Sequence, residues 1–238
     1  NGRWAQKQGL PKIAGYQKGA EVFEIIAQYC AKIGIQYLTV YAFSSENWQR
    51  EKSEIEVILG LFNQYLIKYA ANIAKHDVTI SFIGDKSKFS AKTQKLMEKI
   101  ESKSRNKKSH LIIALSYGGR NEIANAAKKM VELLLQNCNK SGDYDLMHNK
   151  TDSGIFTPQL LDSFIRQENN APDPDLLIRT SGEKRLSNFL LWQAAYTELY
   201  FTDVLWPDFT VDDLEKAIED FGTRNRSFGA TRLEQNSN

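Results

Sequence analysis

Alternating strand and helix patterns predict an α/β protein with a mostly parallel central sheet flanked by helices. Three observations lead there. Two apolar runs of strand length, Ile35 to Phe43 and Leu111 to Tyr117, lack the polar alternation of a half-exposed strand, as strands covered on both faces do. The segments between the runs place apolar residues at helical spacing. Polar clusters follow directly on two strand ends, where ligands bind in such sheets.

The first helix is expected between Gly19 and Gly34, with Val22, Ile25, Ile26, Tyr29 and Ile33 on one side and Gly34 ending it. The strand Ile35 to Phe43 follows. Ser53 and Glu56 have capping-box spacing, and Ile55, Ile58, Phe62 and Leu66 mark a long helix behind them. Val78 to Ile83 reads as a second strand, Ser90 to about Arg105 as a charged helix, Leu111 to Tyr117 as a third strand and Asn121 to Gln136 as a helix. Tyr117-Gly118-Gly119-Arg120 reads as the turn between the last two, since it lacks the spacing of a dinucleotide or P-loop fingerprint. From Asn137 to Phe156 the composition turns to Asn, Ser, Asp, Lys and Gly, which predicts an exposed insertion. Thr157-Pro158 opens a short helix, Leu176 to Thr180 forms another strand, and Thr210 caps a final helix carrying Leu214, Ala217 and Phe221.

Composition bounds the function. The 238 residues are 42% apolar and 25% charged, the range of one soluble domain with a sizeable core. Lys and Arg number 31 against 29 Asp and Glu, too balanced for a general nucleic-acid binder, so any anion site is local. Two cysteines, Cys30 and Cys138, make no disulfide framework, and a reducing cytoplasm is expected. No apolar run is long enough for a membrane span and no signal-peptide pattern opens the chain. His76, His110 and His148 are scattered, without partners at zinc spacing.

Three places carry candidate chemistry. Ser44, Ser45, Glu46, Asn47, Trp48, Gln49 and Arg50 follow a strand and offer hydroxyls, an amide, a carboxylate and a guanidinium to a charged ligand; on residues alone a polar turn is an equal reading. Arg179 to Asn188 holds three cations, three hydroxyls and a Gly straight after another strand. Planar guanidinium forks and a close backbone approach suit phosphate oxygens. The opening Asn1-Gly2-Arg3-Trp4-Ala5 with Lys12 and Gly15-Tyr16 would suit a phosphate at a helix start, although taken alone it reads as a frayed terminus.

Together these segments resemble the undecaprenyl diphosphate synthase family. Asn1 to Ala5 is similar to the end of its Asp-Gly-Asn-x-Arg-Trp-Ala motif, Phe43 to Trp48 to Phe-Ser-x-Glu-Asn-Trp, and Arg179 to Trp192 to Arg-Thr-x-Gly-Glu-x-Arg-x-Ser-Asn-Phe-x-x-Trp. The resemblance implies a cytoplasmic homodimeric cis-prenyltransferase with a hydrophobic tunnel. It would join isopentenyl diphosphate to farnesyl diphosphate with magnesium and touch a membrane transiently at product release. It assigns Gly2, Arg3, Trp4 and Lys12 to the allylic diphosphate, Arg179, Arg185 and Ser187 to isopentenyl diphosphate, and Asn1, Tyr16 and Leu186 to substrate binding. Ser44, Ser45, Glu46, Trp48 and Arg50 line the reacting centre, Asn47 is the catalytic group, and Glu198 is a magnesium ligand. A neutral amide is a poor base, so Asn47 is read as a positioning group and the proton acceptor is left open.

Departures accompany the match. The family's metal-binding Asp and the strand before it would lie upstream of Asn1, while Tyr16 and Lys184 stand where His is usual and Lys12 where Arg is common. The competing expectations are a shorter-chain cis-prenyltransferase, a non-catalytic partner subunit and a simple phosphate-ligand binder. Intact Ser-Glu-Asn-Trp and Arg-x-x-Gly-Glu segments speak against the partner subunit.

Overall fold

The computed structural model describes residues 1–73, 77–141, 157–166 and 170–224. These divide into two compact units. One comprises Asn1–Tyr29, Asp173–Arg185 and the segment from Gln193 onward; the other comprises Cys30–Pro172 and Leu186–Trp192.

In chain order the elements are α1 (Gly2–Lys7), α2 (Lys12–Lys32), β1 (Tyr37–Ser44), α3 (Lys52–Asn72), β2 (Val78–Ile83), α4 (Ala91–Lys103), β3 (Ser109–Tyr117), α5 (Gly119–Ser141), α6 (Pro158–Ile165), β4 (Leu176–Arg179), β5 (Glu198–Phe201) and α7 (Val211–Thr223). Among the described residues the five strands pair only in parallel. They form two sheets, a three-stranded one in the order β1-β3-β2 and a two-stranded one of β4 and β5.

The central position of β3 explains its composition. Leu111 to Tyr117 are all buried, so an apolar run with few polar groups is what the site tolerates. Neighbours on both sides satisfy its backbone: Leu111 lies opposite Leu38 of β1 and Ile80 of β2. Helix α3 packs on α4, α4 on β2, and α5 on α6. The core between them holds Phe82, Met97, Ile100, Ile112 and Leu115. Cys30 is buried, and desolvation pushes its thiol up to about 11, which makes it an inert packing residue.

The β1–β3 register is irregular between Tyr41 and Ser44, and Ser116 opposite this stretch is buried with φ +47. A bulge at a strand end re-aims the residues beyond it, and here those are Ser44 to Arg50. Gly84, after β2, has φ +106, and a Cβ there would come within 2.2 Å of the Leu115 carbonyl oxygen. Only glycine satisfies both conditions.

In the other unit, β4 and β5 pair Leu176 with Glu198 and Arg179 with Phe201. Thr210 Oγ1 accepts from Asp213 N at 3.2 Å while Asp213 Oδ2 accepts from Thr210 N at 3.0 Å, closing a capping box on α7. Leu214 and Ala217 of α7 are buried.

Some expectations change. The capping box at Ser53 and Glu56 does not form: α3 begins at Lys52 with Glu51 as its N-cap, two residues too early for Ser53 to cap it. The first long helix starts at Lys12 rather than Gly19, and α5 continues through Ser141, so residues 137–141 of the expected insertion are helical. The rest of that expected insertion, 142–156, lies outside the described residues. Trp192 and Trp206 are half-buried and hydrogen-bonded, with Nε1 donating to Asp162 Oδ1 at 3.0 Å and to the Gly19 carbonyl at 2.8 Å.

Two outcomes test this packing. Gly84→Ala is expected to lower stability by about 2 kcal/mol or more in denaturant unfolding, because it adds left-handed strain to a backbone clash. His110, half-buried beside Ser81 Oγ at 2.7 Å, has its pKa lowered by burial from the usual 6.5. The folded state therefore resists protonation, and the stability from neutral His110 is present above pH 6.5 and lost as pH falls through the lowered folded value. Melting curves of His110→Asn should fall less between pH 7.5 and 5 than those of the parent, by roughly the contribution of this one group.

Candidate active site

In the first unit the chain start is helical and anchored, which overturns the frayed-terminus reading. Ala5 is fully buried, and Trp4 Nε1 donates to Asp208 Oδ1 at 2.6 Å. Asn1 lies against α2. A Cβ on Gly15 would come within 2.2 Å of the Asn1 carbonyl oxygen, and one on Gly19 within 2.8 Å of the Asn1 side chain. Lys12, Gly15, Tyr16 and Gly19 have the spacing of one helix stripe, so the two glycines hold Asn1 on the stripe that carries Lys12 and Tyr16.

The loop after β4 is built on left-handed turns at Ser181 (φ +72) and Gly182 (φ +68). Its backbone is tied down where Ser181 N donates to the Val204 carbonyl at 2.8 Å and Gly182 N to that of Thr202 at 2.9 Å. Arg3 reaches the same loop, with Nη1 donating to the Ser181 carbonyl at 3.2 Å and pairing with Glu183 Oε1 at 3.1 Å. Arg185 pairs with the other oxygen of Glu183. One carboxylate thus holds two guanidiniums from distant parts of the chain. Both Arg side chains are more than half exposed, so these pairs orient the groups more than they stabilise the fold.

Glu198 does not join this group along the sheet. It enters β5 opposite Leu176, and Phe201 is the partner of Arg179, so Glu198 and Arg179 stand at opposite ends of the two strands, about 10 Å apart by strand rise. Its Oε2 accepts from Arg224 Nη1 at 2.9 Å, and Arg224 also pairs with Asp220. By donor chemistry Glu198 fits magnesium, a hard ion held by one or two carboxylates with the remaining oxygens from water and substrate phosphate. Among the described residues no group of three or more His, Cys, Asp or Glu gathers to hold a metal. His76 and His148 lie outside those residues.

In the second unit Ser45–Gln49 forms a 3-10 turn rather than an open loop. Asn47 Oδ1 accepts from Ser44 N at 3.1 Å, so the amide group it can offer a ligand is the Nδ2 donor, and a role as base is disfavoured further. Trp48 is clamped edge-on to Phe43 and Phe89 at ring centroid distances of 5.1 and 5.8 Å, and its Nε1 donates to Ser116 Oγ at 2.8 Å. Arg50 Nη1 donates to Glu54 Oε1 at 2.8 Å.

Glu46 accepts from Ser45 Oγ at 3.1 Å and from Asn188 Nδ2 at 2.8 Å. Desolvation pushes its pKa up, but bonds from Asn188, its own backbone and the two serine hydroxyls outweigh this and hold it below the usual carboxylate range. Leu186 and Ser187 also belong to this unit. Ser187 and Asn188 are both left-handed, with φ +49 and +65.

Within each unit, therefore, some of the expected residues come together: Arg3 with the loop after β4 and Asn1 with the Lys12–Tyr16 stripe in one, and Ser45 and Glu46 with the Asn188 turn in the other. Glu183, Asn188 and Arg224 organise them and were not singled out from the sequence. Glu183 and Asn188 stand inside the Arg179–Trp192 motif; nothing local marks Arg224.

A family model described as "Putative undecaprenyl diphosphate synthase" matches residues 1–229. The isoprenyl transferase of Aquifex aeolicus is 45% identical over 96% of this chain and 91% of that protein. The crystal structure of lavandulyl diphosphate synthase from Lavandula x intermedia, in complex with dimethylallyl diphosphate, superposes with a TM-score of 0.78 at 33% identity, covering 95% of this chain and 93% of that one. A "probable undecaprenyl diphosphate synthase" from Campylobacter jejuni gives 0.74 at 31%, covering 90% and 92%. With its motifs at the carboxyl ends of parallel strands and a match along nearly its whole length, the chain belongs to the undecaprenyl diphosphate synthase family of isoprenyl transferases.

Proposed function

We propose that the chain condenses isopentenyl diphosphate onto farnesyl diphosphate repeatedly, forming cis double bonds and ending at undecaprenyl diphosphate. The observation that carries this reading is the placement of two family motifs at strand ends, Ser44–Trp48 after β1 and Arg179–Arg185 after β4, where charged ligands bind in parallel sheets. The working form is a cytoplasmic homodimer with an apolar tunnel for the growing chain and transient membrane contact at product release. Each buried methylene would add about 0.8 kcal/mol to retention of the intermediate.

In each round a carbon–carbon bond forms between the terminal methylene of isopentenyl diphosphate and the allylic carbon as the bond from that carbon to its diphosphate oxygen breaks. A proton then leaves the isopentenyl unit to give the new double bond. Arg3, Lys12 and the backbone at Asn1 and Gly2 bind the leaving diphosphate, with Trp4 and Tyr16 beside it, and stabilise the charge that grows there. Arg179 and Arg185 bind the second diphosphate, the ligand also assigned to Ser187, and Leu186 takes part in substrate binding. Ser44, Ser45, Glu46, Trp48 and Arg50 shape the reacting centre, and Asn47 donates from Nδ2 to orient a diphosphate oxygen. Glu198 is the residue that would hold magnesium, and the ion would supply charge neutralisation at the diphosphates. The proton acceptor we favour is a phosphate oxygen.

A shorter substrate and product form the second reading, favoured by the likeness to lavandulyl diphosphate synthase. Radiolabelled isopentenyl diphosphate with farnesyl diphosphate and magnesium, followed by chromatographic sizing, decides between them. A 55-carbon product, eight units added to the 15-carbon primer, is expected, about that length being what defines the reading.

Arg179→Ala should raise KM for isopentenyl diphosphate about tenfold or more with a smaller effect on the allylic substrate, since a charge-assisted hydrogen bond contributes about 1.5 to 3 kcal/mol. Equal losses for both would overturn the two-site assignment. Asn47→Ala should lower the single-turnover rate with both affinities kept within about threefold, the signature of a contact made in the transition state.

A further inference from the structure

The turn Leu186–Leu190 is held by an arrangement that its conformation alone does not require. Asn188 makes three hydrogen bonds, all inside the second unit. Its carbonyl oxygen accepts from Gly119 N at 2.7 Å and its Oδ1 from Arg120 N at 2.8 Å. Those two N–H groups are the first of α5, so Asn188 caps that helix from a distant part of the chain. Its Nδ2 donates to Glu46 Oε1 at 2.8 Å.

The approach is closely fitted. A Cβ on Gly118 would come within 2.5 Å of Ser45 Oγ and 2.6 Å of Asn188 Nδ2, and one on Gly119 within 2.9 Å of Leu191 Cγ. The glycine pair therefore lets the turn close over the end of β3. Two consecutive left-handed residues, Ser187 and Asn188, cost free energy unless their surroundings fix them.

We propose that Asn188 is a positioning residue: it ties the turn carrying Ser187 to the Glu46 carboxylate, so that diphosphate affinity depends on an Asn188–Glu46 bond. The inference rests on the isopentenyl diphosphate role proposed for Ser187. A purely structural Asn188 would serve α5 as a cap and tolerate the left-handed backbone, and Asp does both. A carboxylate favours a helix N-terminus, yet it would meet Glu46 with like charge and no donor.

Asn188→Asp, Glu46→Gln and the double variant separate the two roles, because Gln at position 46 can donate to Asp at 188 and restore the bond with its polarity reversed. Asn188→Asp is expected to keep the parent's melting temperature but raise KM for isopentenyl diphosphate about tenfold, the loss of about one hydrogen bond to a charged group. The double variant should return to within about threefold of Glu46→Gln alone, whose amide oxygen still accepts from Asn188, a rescue that a cap would not produce. An unchanged KM in Asn188→Asp, or a folded double variant no better than Asn188→Asp, overturns the proposal. Should Asn188→Asp fold poorly, Asn188→Gly carries the test. It keeps the left-handed backbone and should show the same rise in KM without rescue by Glu46→Gln; a parental KM would overturn the proposal.

Calorimetric titration of the same proteins with inorganic diphosphate reads the link without turnover. A parent that binds diphosphate but does not condense the two substrates refutes the proposed activity. The affinity pattern across the variants then still upholds or overturns the Asn188–Glu46 link.

Discussion

The second unit depends on the requirement that the buried backbone of β3 be paired on both sides. The buried amides of Leu111 to Ala114 are flanked by β1 and β2 in one register, and β1 continues that pairing to Tyr117. That register brings Ser44 opposite Tyr117. It places the turn into α5 beside the start of the Ser45–Gln49 turn, where Gly118 leaves room for Ser45 and Asn188. The irregular pairing at the end of β1 and the left-handed Ser116 under Trp48 belong to this same constraint. The polar segment is positioned by the most buried strand among the described residues.

In the first unit, charge does the corresponding work. Glu183 gathers Arg3 and Arg185, and Arg224 occupies Glu198, so groups suited to diphosphate and magnesium are partnered by protein before any ligand arrives. Such partners keep guanidiniums and carboxylates oriented at little cost in stability, because the pairs are part-exposed and exchange readily for a stronger anion or cation. A diphosphate, with more charge than one carboxylate, would compete well for Arg3 and Arg185.

The sequence made the long elements legible because burial on two faces leaves an unbroken apolar run, as in β3, and because helical spacing repeats over many turns, as in α2 and α5. The apolar run of β1 was read the same way, but β1 is an edge strand and only Phe43 in it is buried. It failed where a feature is short or long-range. β5 spans only Glu198 to Phe201 and opens with a charge, α1 has six residues, and the β4–β5 pair forms its own sheet, none of which leaves a period to read. Ser53 and Glu56 carried capping-box spacing without the box, whereas Thr210 and Asp213 form one with Asp in the Glu position. The candidate site was legible as residue types, since cations and hydroxyls after strands point to phosphate. Asn188 bonds to a residue 142 positions away, and no single sequence displays that pairing.

Condensation that builds cis double bonds from isopentenyl diphosphate on an allylic primer is the central claim. Carbon NMR of the product made from carbon-13 isopentenyl diphosphate and farnesyl diphosphate tests it most directly, because each added unit reports its own double-bond geometry. Label in the product and Z geometry at every added unit are the expected result; E geometry at those units, or no incorporated label, would contradict it.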